Sequence, residues 1–157
     1  MRYPIIRILP ILLLFMFFIA NCADSNEKEK VGSESNSIEQ KADPNDWRTN
    51  KGIGPITNVI LADEIDLDLV AKGEVVFTNK CTACHKVEKR YIGPSPQGIL
   101  DRRTPEWVMN IILNPDVMVK EDPIAKQLLM EYNGTPMANQ NLTEEEARSI
   151  LEYFRTL

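Results

Sequence analysis

The stretch Cys81-Thr82-Ala83-Cys84-His85 decides how this sequence is interpreted. It holds two of the three cysteines and the only histidine of the 157 residues, a length that fits one ordinary domain. A single imidazole excludes zinc centres that need two or three histidines, and three cysteines are too few for a disulfide-stapled scaffold. The net charge of −5 argues against a nucleic-acid-binding protein. The scarce reactive side chains therefore point to one site.

The CxxCH spacing of this stretch is the attachment signal for a covalent c-type haem. Two thiols three positions apart on one helical turn can reach the vinyl groups on one side of a porphyrin, and the adjacent histidine then lies under the iron. Three alternatives explain less: a zinc site lacks a fourth ligand, a thioredoxin-like site needs a preceding strand, and a disulfide leaves the histidine unused. The sequence therefore predicts one haem c on Cys81 and Cys84, with His85 as an iron ligand.

The first 21 residues have the pattern of an export signal. Arg2 and Arg7 flank the start of an apolar run from Ile8 to Ala20, whose 13 residues are too few for a comfortable membrane span. The run ends before Cys22, as in a bacterial lipoprotein signal with Cys22 as the lipidated first residue of the mature chain. Asn21 departs from that pattern, where Gly, Ala or Ser is usual, and the alternative is an uncleaved anchor. Both interpretations place the rest outside the cytoplasmic membrane, and the first predicts a lipid-anchored protein facing the periplasm.

The remainder divides into a tether and a domain. Residues 22–50 are predicted to be a lipidated cysteine and a disordered tether, because the segment is too polar to offset the entropy of ordering it. Trp47 is the exception, as a candidate for docking on the domain. Residues 51–157 form the domain, which begins as a loop with a short extended piece at residues 59–61 and has a helical core at about residues 67–157.

Helix signals dominate this domain, and no alternating strand pattern of useful length occurs. A first helix is predicted from about Leu67 to Asn79, with Gly73 on its apolar face where another helix can cross closely. A second follows Thr104 and ends before Pro115, a third runs from Asp122 to near Gly134, and a fourth starts at a capping box at Thr143. The predicted fold class is all-α: a small domain wrapped around one covalent haem, which helps to fill a thin core.

From about residue 67 to residue 157 the chain resembles the small monohaem cytochromes c of class I. The glycine-containing helix ahead of CxxCH and the aromatic last helix match the two helices that cross in that family. The resemblance implies that the Pro94 carbonyl accepts a hydrogen bond from the His85 ring and so fixes its tautomer. It also implies that Arg102 neutralises a haem propionate. Pro96 departs from the pattern, since the family favours leucine there.

Two further residues belong to this implied set. Tyr91 and Trp107 are predicted to lie near the iron ligands or the haem propionates, together with Pro94 and Arg102. Both occur in stretches that resemble a narrower group, at residues 89–94 and 102–107, and a third such stretch covers residues 136–140. That group is the lipoprotein cytochromes c that accompany nitrous-oxide reductase in some non-proteobacterial denitrifiers.

The second iron ligand is predicted to be Met137. A second histidine does not exist, so two histidines of this domain cannot hold the iron. Met109 and Met130 lie in predicted helices, where packing in the core is the default, while Met118 lies in a predicted loop and is the alternative ligand. The family places its methionine in the loop before the last helix, where Met137 stands. Two strong axial ligands leave no open position for a substrate, so no enzyme is predicted.

Basic residues are concentrated around the motif, and acidic residues precede the first helix. Between positions 80 and 103 the basic residues are Lys80, Lys86, Lys89, Arg90, Arg102 and Arg103. A basic rim at the haem edge would steer the domain towards an acidic partner. The alternative is a solvated charged surface with no specific partner.

The resemblance implies a membrane-tethered carrier of single electrons in an extracytoplasmic respiratory chain. Its donor would be a quinol-oxidising complex or another cytochrome, and its acceptor a terminal reductase or oxidase. The narrower resemblance implies nitrous-oxide reductase as that acceptor. The alternatives are an electron-input domain of a larger enzyme, a haem peroxidase with a labile methionine ligand, and a redox- or gas-sensing haem module.

Overall fold

The computed structural model describes residues 43–157, so the predicted signal segment, Cys22 and most of the predicted tether lie outside the described residues. This described part contains helices and loops and no strand, which confirms the all-α prediction. Residues 59–61, predicted as a short extended piece, lie in a loop and form no strand. None of the helices in the described part has the length and apolarity needed to span a bilayer.

The part of the chain that the structure describes has five α-helices and one short 3-10 helix. They are α1 (Leu67–Lys80), the 3-10 helix (Ile99–Asp101), α2 (Pro105–Leu113), α3 (Pro115–Glu121), α4 (Pro123–Glu131) and α5 (Glu144–Phe154). The starts of α2, α4 and α5 follow the signals predicted at Thr104, Asp122 and Thr143, and α1 has an N-cap at Asp66 that was not predicted. Asp66, Thr104, Asp122 and Thr143 each accept a hydrogen bond from a backbone N–H in the first turn of α1, α2, α4 and α5.

One helix was not predicted. Residues 115–121 were expected to be part of a loop, and that prediction is wrong because α3 begins at Pro115, directly after α2. Proline ends a helix that precedes it but fits the first turn of the next, where its missing N–H has no intrahelical acceptor. Met118 therefore lies on a helix, and its side chain is 0% exposed.

Helices α1 and α5 cross with their backbones in close approach at Gly73, as predicted. A Cβ atom on this glycine would lie 2.0 Å from the carbonyl oxygen of Ser149 in α5. One turn further along α1, Phe77 packs between Tyr153 and Phe154, with its ring centroid 5.6 Å from each of theirs. The crossing fixes the end of α1, and with it the position of the CxxCH motif.

Buried Glu152 links α5 to the start of α1. Its carboxylate accepts hydrogen bonds from Arg148 and Arg155, and from the backbone N–H of Asp66 at 3.0 Å. Burial disfavours the charged carboxylate, but these hydrogen bonds and the two arginine charges outweigh it and hold the pKa of Glu152 below its usual value. The hydrogen bond from the Asp66 N–H therefore links the start of α1 to α5, and the two ion pairs within α5 hold the carboxylate in place for it.

Residues 43–61, here called the N-terminal strap, pack against α2 and α3. The buried amide of Asn110 in α2 donates to the carbonyls of Lys51 and Ile56 and accepts from the backbone N–H of Ile56, at 2.9–3.0 Å. The Met118 sulfur accepts from the backbone N–H of Ile53 at 3.0 Å. Trp47 packs against the core from the strap.

The strap begins inside the segment that the sequence assigned to the tether. Residues 43–50 form turns, and Asn50 is buried with its amide 2.6 Å from the Asp122 carboxylate. The same carboxylate caps α4 and accepts from the Trp107 indole N–H at 3.0 Å. Asp122 therefore joins the strap, α2 and α4 at one buried point.

We expect Gly73→Ala to lower the free energy of unfolding of the haem-loaded protein by about 3 kcal/mol, because the added Cβ fits only if α1 and α5 move apart. Guanidinium denaturation followed by far-ultraviolet circular dichroism measures this change. Val75→Ala is the matched control, since Val75 lies two residues further along α1 and is 60% exposed. A Gly73→Ala variant as stable as Val75→Ala would contradict the close crossing.

Candidate haem site

A large, mainly apolar cavity lies among α1, α2, α4, α5 and the loops that connect them. Three residues of the CxxCH motif line it, and so does Met137 from the loop before α5. The apolar side chains of its wall include Phe77, Ile99, Val108, Ile111, Ile112, Leu128, Ile150 and Phe154. Pro96 is also buried in this wall, so it supplies apolar packing where the family favours leucine. Such a wall excludes water and suits a large apolar ring.

The motif forms one helical turn that continues from α1. The backbone N–H of Cys81 donates to the Phe77 carbonyl, and the N–H groups of Cys84 and His85 both donate to the Cys81 carbonyl at 2.9–3.0 Å. Both cysteines lie on the same turn, and both line the cavity. Burial, with a smaller effect of Cys84, raises the pKa of the Cys81 thiol to about 11. The Cys81 thiol therefore keeps its proton at neutral pH before a haem is attached.

Three alternatives for these cysteines find no support in the structure. Within residues 43–157 no group of three His, Cys, Asp or Glu side chains is placed to hold a metal ion, which disfavours the zinc site. Cys81 and Cys84 are not joined by a disulfide. A thioredoxin-like site needs a strand before the motif, and α1 precedes it instead.

The His85 ring is oriented by Pro94. Its Nδ1 lies 2.7 Å from the Pro94 carbonyl oxygen. A carbonyl only accepts hydrogen bonds, so Nδ1 of the neutral ring carries the proton and Nε2 keeps its lone pair. Gly93 allows this approach, because a Cβ there would lie 2.5 Å from the His85 Cε1 atom. The loop is anchored by the Gly93 N–H, which donates to the Cys84 carbonyl at 2.8 Å.

Of the four methionines within the described residues, only Met137 lines the cavity. Met118, the alternative ligand, is directed to the backbone of the N-terminal strap instead. Met109 is buried in the core as predicted. The predicted core packing of Met130 is wrong, because this side chain is 76% exposed on α4. The side chains present thus fit a haem with one histidine and one methionine available to its iron.

The other predicted contact residues are less available than their positions in the sequence suggested. Arg102 lines the cavity, but its two terminal nitrogens donate to the backbone carbonyls of Ser95, Gln97 and Gly98 at 2.7–2.9 Å. Trp107 also lines the cavity, while its only polar group donates to Asp122. Tyr91 does not line the cavity and is 52% exposed, with the Lys86 ammonium 5.2 Å from its ring centroid.

Arg90 connects the segment after the CxxCH motif to the end of α4. It follows the CxxCH motif in sequence, and it donates to the carbonyl of Glu131 at the end of α4. Its guanidinium lies 4.1 Å from the ring centroid of Tyr132, at the start of the loop that carries Met137. This cation–π pair therefore joins the CxxCH side of the cavity to the Met137 loop.

Three of the six predicted basic residues line the cavity, namely Lys80, Arg102 and Arg103. Arg103 was noted in the sequence only as one charge of the basic rim, yet its guanidinium lies 5.1 Å from the Trp107 ring centroid. Its burial was not predictable from composition or spacing, because it depends on how α2 packs.

Comparisons with known proteins agree with this geometry. The family model described as cytochrome c matches residues 70–157. A cytochrome c from Rhodothermus marinus is 43% identical, with a TM-score of 0.66 over 73% of this chain and 96% of that chain. An engineered form of that cytochrome, bound to a carbene intermediate, is also 43% identical over the same shares of the two chains, with a TM-score of 0.63.

A more distant relative has the same fold. The cytochrome c domain of the pp3183 protein from Pseudomonas putida is 30% identical, with a TM-score of 0.50 over 54% of this chain and 85% of that chain. A search of curated protein sequences found no significant match.

Proposed function

The chain belongs to the cytochrome c family, and from that premise we propose that it carries single electrons in an extracytoplasmic respiratory chain, held at a membrane by a lipid on Cys22. The family binds haem c covalently, and this chain has a single CxxCH motif for one such haem. The observation that carries the proposal is that Cys81, Cys84, His85 and Met137 line one apolar cavity.

Each of these four residues has a separate role in the proposal. Cys81 and Cys84 hold the haem through thioether bonds, and His85 and Met137 ligate the iron. His85 is prepared for this by Pro94, which holds the proton on Nδ1 and leaves the Nε2 lone pair free. A bound haem supplies a one-electron iron couple, and a methionine ligand raises its reduction potential.

The residues favour electron transfer over substrate chemistry. With His85 and Met137 both on the iron, no position remains for oxygen, peroxide or a substrate. The bridge from Arg90 to Tyr132 ties the start of the Met137 loop to the segment after the CxxCH motif and disfavours opening of that loop. We therefore propose a carrier and no enzyme, whereas a peroxidase or a gas sensor requires a labile sixth ligand.

The exposed rim of the cavity is proposed as the contact with redox partners. Lys80 lines the cavity at the end of α1, and Ile92 nearby in the wall is 44% exposed. A basic rim around an apolar spot suits transient docking of an acidic partner, since charge steers the encounter and the apolar contact is small. The donor is then a quinol-oxidising complex or another cytochrome, and the acceptor a terminal reductase or oxidase.

We expect Met137→Ala to abolish the weak far-red absorption band of the ferric protein, because that band depends on sulfur ligation of the iron. The ferrous variant should also bind carbon monoxide readily, at least about tenfold more tightly than the wild type, since the sixth position is then open. Met130→Ala is the matched control, because Met130 is exposed on α4 and outside the cavity wall. A far-red band that survives in Met137→Ala would refute the ligand and favour the sensor and peroxidase alternatives.

Lipid anchoring is tested by Cys22→Ala in a bacterial host that exports and matures lipoproteins. We expect the haem-loaded protein to move from the membrane fraction to the soluble extract, because the thiol that carries the lipid is lost. Asn21→Ala is the control, since it places a usual small residue before Cys22 and should keep the protein in the membrane fraction. Retention of Cys22→Ala in the membrane would instead indicate an uncleaved N-terminal anchor.

The narrower part of the proposal is that nitrous-oxide reductase is the acceptor. Purified ferrous protein mixed with this enzyme and nitrous oxide should be reoxidised within its turnover time, and the rate should fall as salt is added. A terminal oxidase under oxygen serves as the comparison. Rapid reoxidation by the oxidase alone would assign the protein to a different branch of respiration.

A further inference from the structure

Arg103 holds a buried polar group that no protein atom satisfies. Within the described part of the chain, its Nε is the one buried side-chain nitrogen or oxygen without a hydrogen-bond partner. Buried donors are nearly always paired, because leaving one unpaired loses its bonds to water with no replacement. Burial lowers the pKa of Arg103, and the charge of Arg102 lowers it further. One terminal nitrogen of Arg103 donates to the Arg102 carbonyl, but no protein atom within the described residues accepts a hydrogen bond from the buried Nε.

The acidic residues near Arg103 do not supply the missing partner. Asp122 attracts it, but its carboxylate is already shared among Asn50, the Trp107 indole and the first turn of α4. Glu131 also attracts it through space, while its carboxylate accepts from Gln127 at 2.9 Å. Neither of these acids forms a salt bridge with Arg103. An anion that enters the cavity beside Trp107 would complete the site.

The neighbouring Arg102 is held by several hydrogen bonds to the protein backbone. Both of its terminal nitrogens donate to backbone carbonyls of residues 95–98, the loop that follows Pro94. These bonds tie the loop that orients His85, so Arg102 supports the cavity wall. Three of the five N–H groups of Arg102 are used for these protein contacts, whereas the Nε–H of Arg103 is buried in the same wall without an acceptor among the described residues.

We propose that Arg103, and not Arg102, binds a haem propionate, with its Nε–H donating to the carboxylate. This inference rests on the proposed haem site and specifies how that site holds its cofactor. The pairing keeps the propionate ionised and offsets its negative charge near the iron. Because an uncompensated negative charge stabilises the ferric state, Arg103 is a positioning residue that also raises the reduction potential.

The test is the midpoint potential of haem-loaded Arg103→Gln, Arg103→Lys and Arg102→Gln between pH 5 and 9. The midpoint potential of the wild type should be nearly independent of pH. Arg103→Gln should have a lower potential at neutral pH and a new segment in which the potential falls as pH rises, with a slope approaching one proton per electron. The reason is that the propionate, without its cation, takes up a proton at a higher pH in the ferrous state than in the ferric state.

The two other variants separate charge from fold. Arg103→Lys keeps the charge, so its midpoint potential should stay nearly independent of pH. The midpoint potential of Arg102→Gln should also stay nearly independent of pH, because this substitution loosens a loop and leaves the propionate paired. A flat, unshifted profile in Arg103→Gln would overturn the proposal, as would a new pH-dependent segment in Arg102→Gln alone. The far-red band reports separately on the methionine ligand, so its absence from the wild type would refute the proposed iron ligation and not the role of Arg103.

A second measurement applies if Arg103→Gln does not fold. Reduced-minus-oxidised infrared difference spectra contain the carboxylate stretch of the propionates, which shifts when the hydrogen-bond donor changes. A shift in Arg103→Lys with none in Arg102→Lys supports the proposal. A shift confined to Arg102→Lys overturns it.

Discussion

The contact between the backbones of α1 and α5 at Gly73 determines the rest of the structure. It can form only where one helix lacks a side chain, so it sets the register of the crossing. Since α1 ends in the CxxCH turn and α5 follows the Met137 loop, the crossing also places the two predicted sets of haem ligands in one cavity wall. The aromatic contacts of Phe77 and the hydrogen bond from the Asp66 N–H to Glu152 join the same pair of helices.

Much of this fold follows from local chemistry. Capping residues and periodic apolar positions predicted four helices, because an N-cap or a capping box acts within a few residues of itself. Pro115 shows the limit of such reasoning: a proline ends one helix and begins another equally well, so α3 was missed. The exposure of Met130 shows another limit, since a helix pattern does not tell which apolar side chains find a neighbour.

The haem site also has features that the sequence predicts and features that depend on the fold. The turn that brings Cys81, Cys84 and His85 together is local, so the motif alone predicted it. The bond from His85 to Pro94 spans nine residues, and it was implied only by resemblance to a family. The sequence alone could not predict which of Arg102 and Arg103 is free to bind a propionate. Adjacent arginines have equal charge and differ only in the backbone carbonyls that the folded loop places near them.

The N-terminal strap supplies hydrogen-bond partners that the helices of this protein need. The family match begins at residue 70, yet the amide of Asn110 and the carboxylate of Asp122 both find partners at residues 50–56. A chain that started at residue 70 would leave these buried polar groups without hydrogen-bond partners and would expose the Met118 sulfur. The packed structure therefore extends beyond the residues that the family model matches, and the strap covers buried polar groups of α2 and of the α4 N-cap.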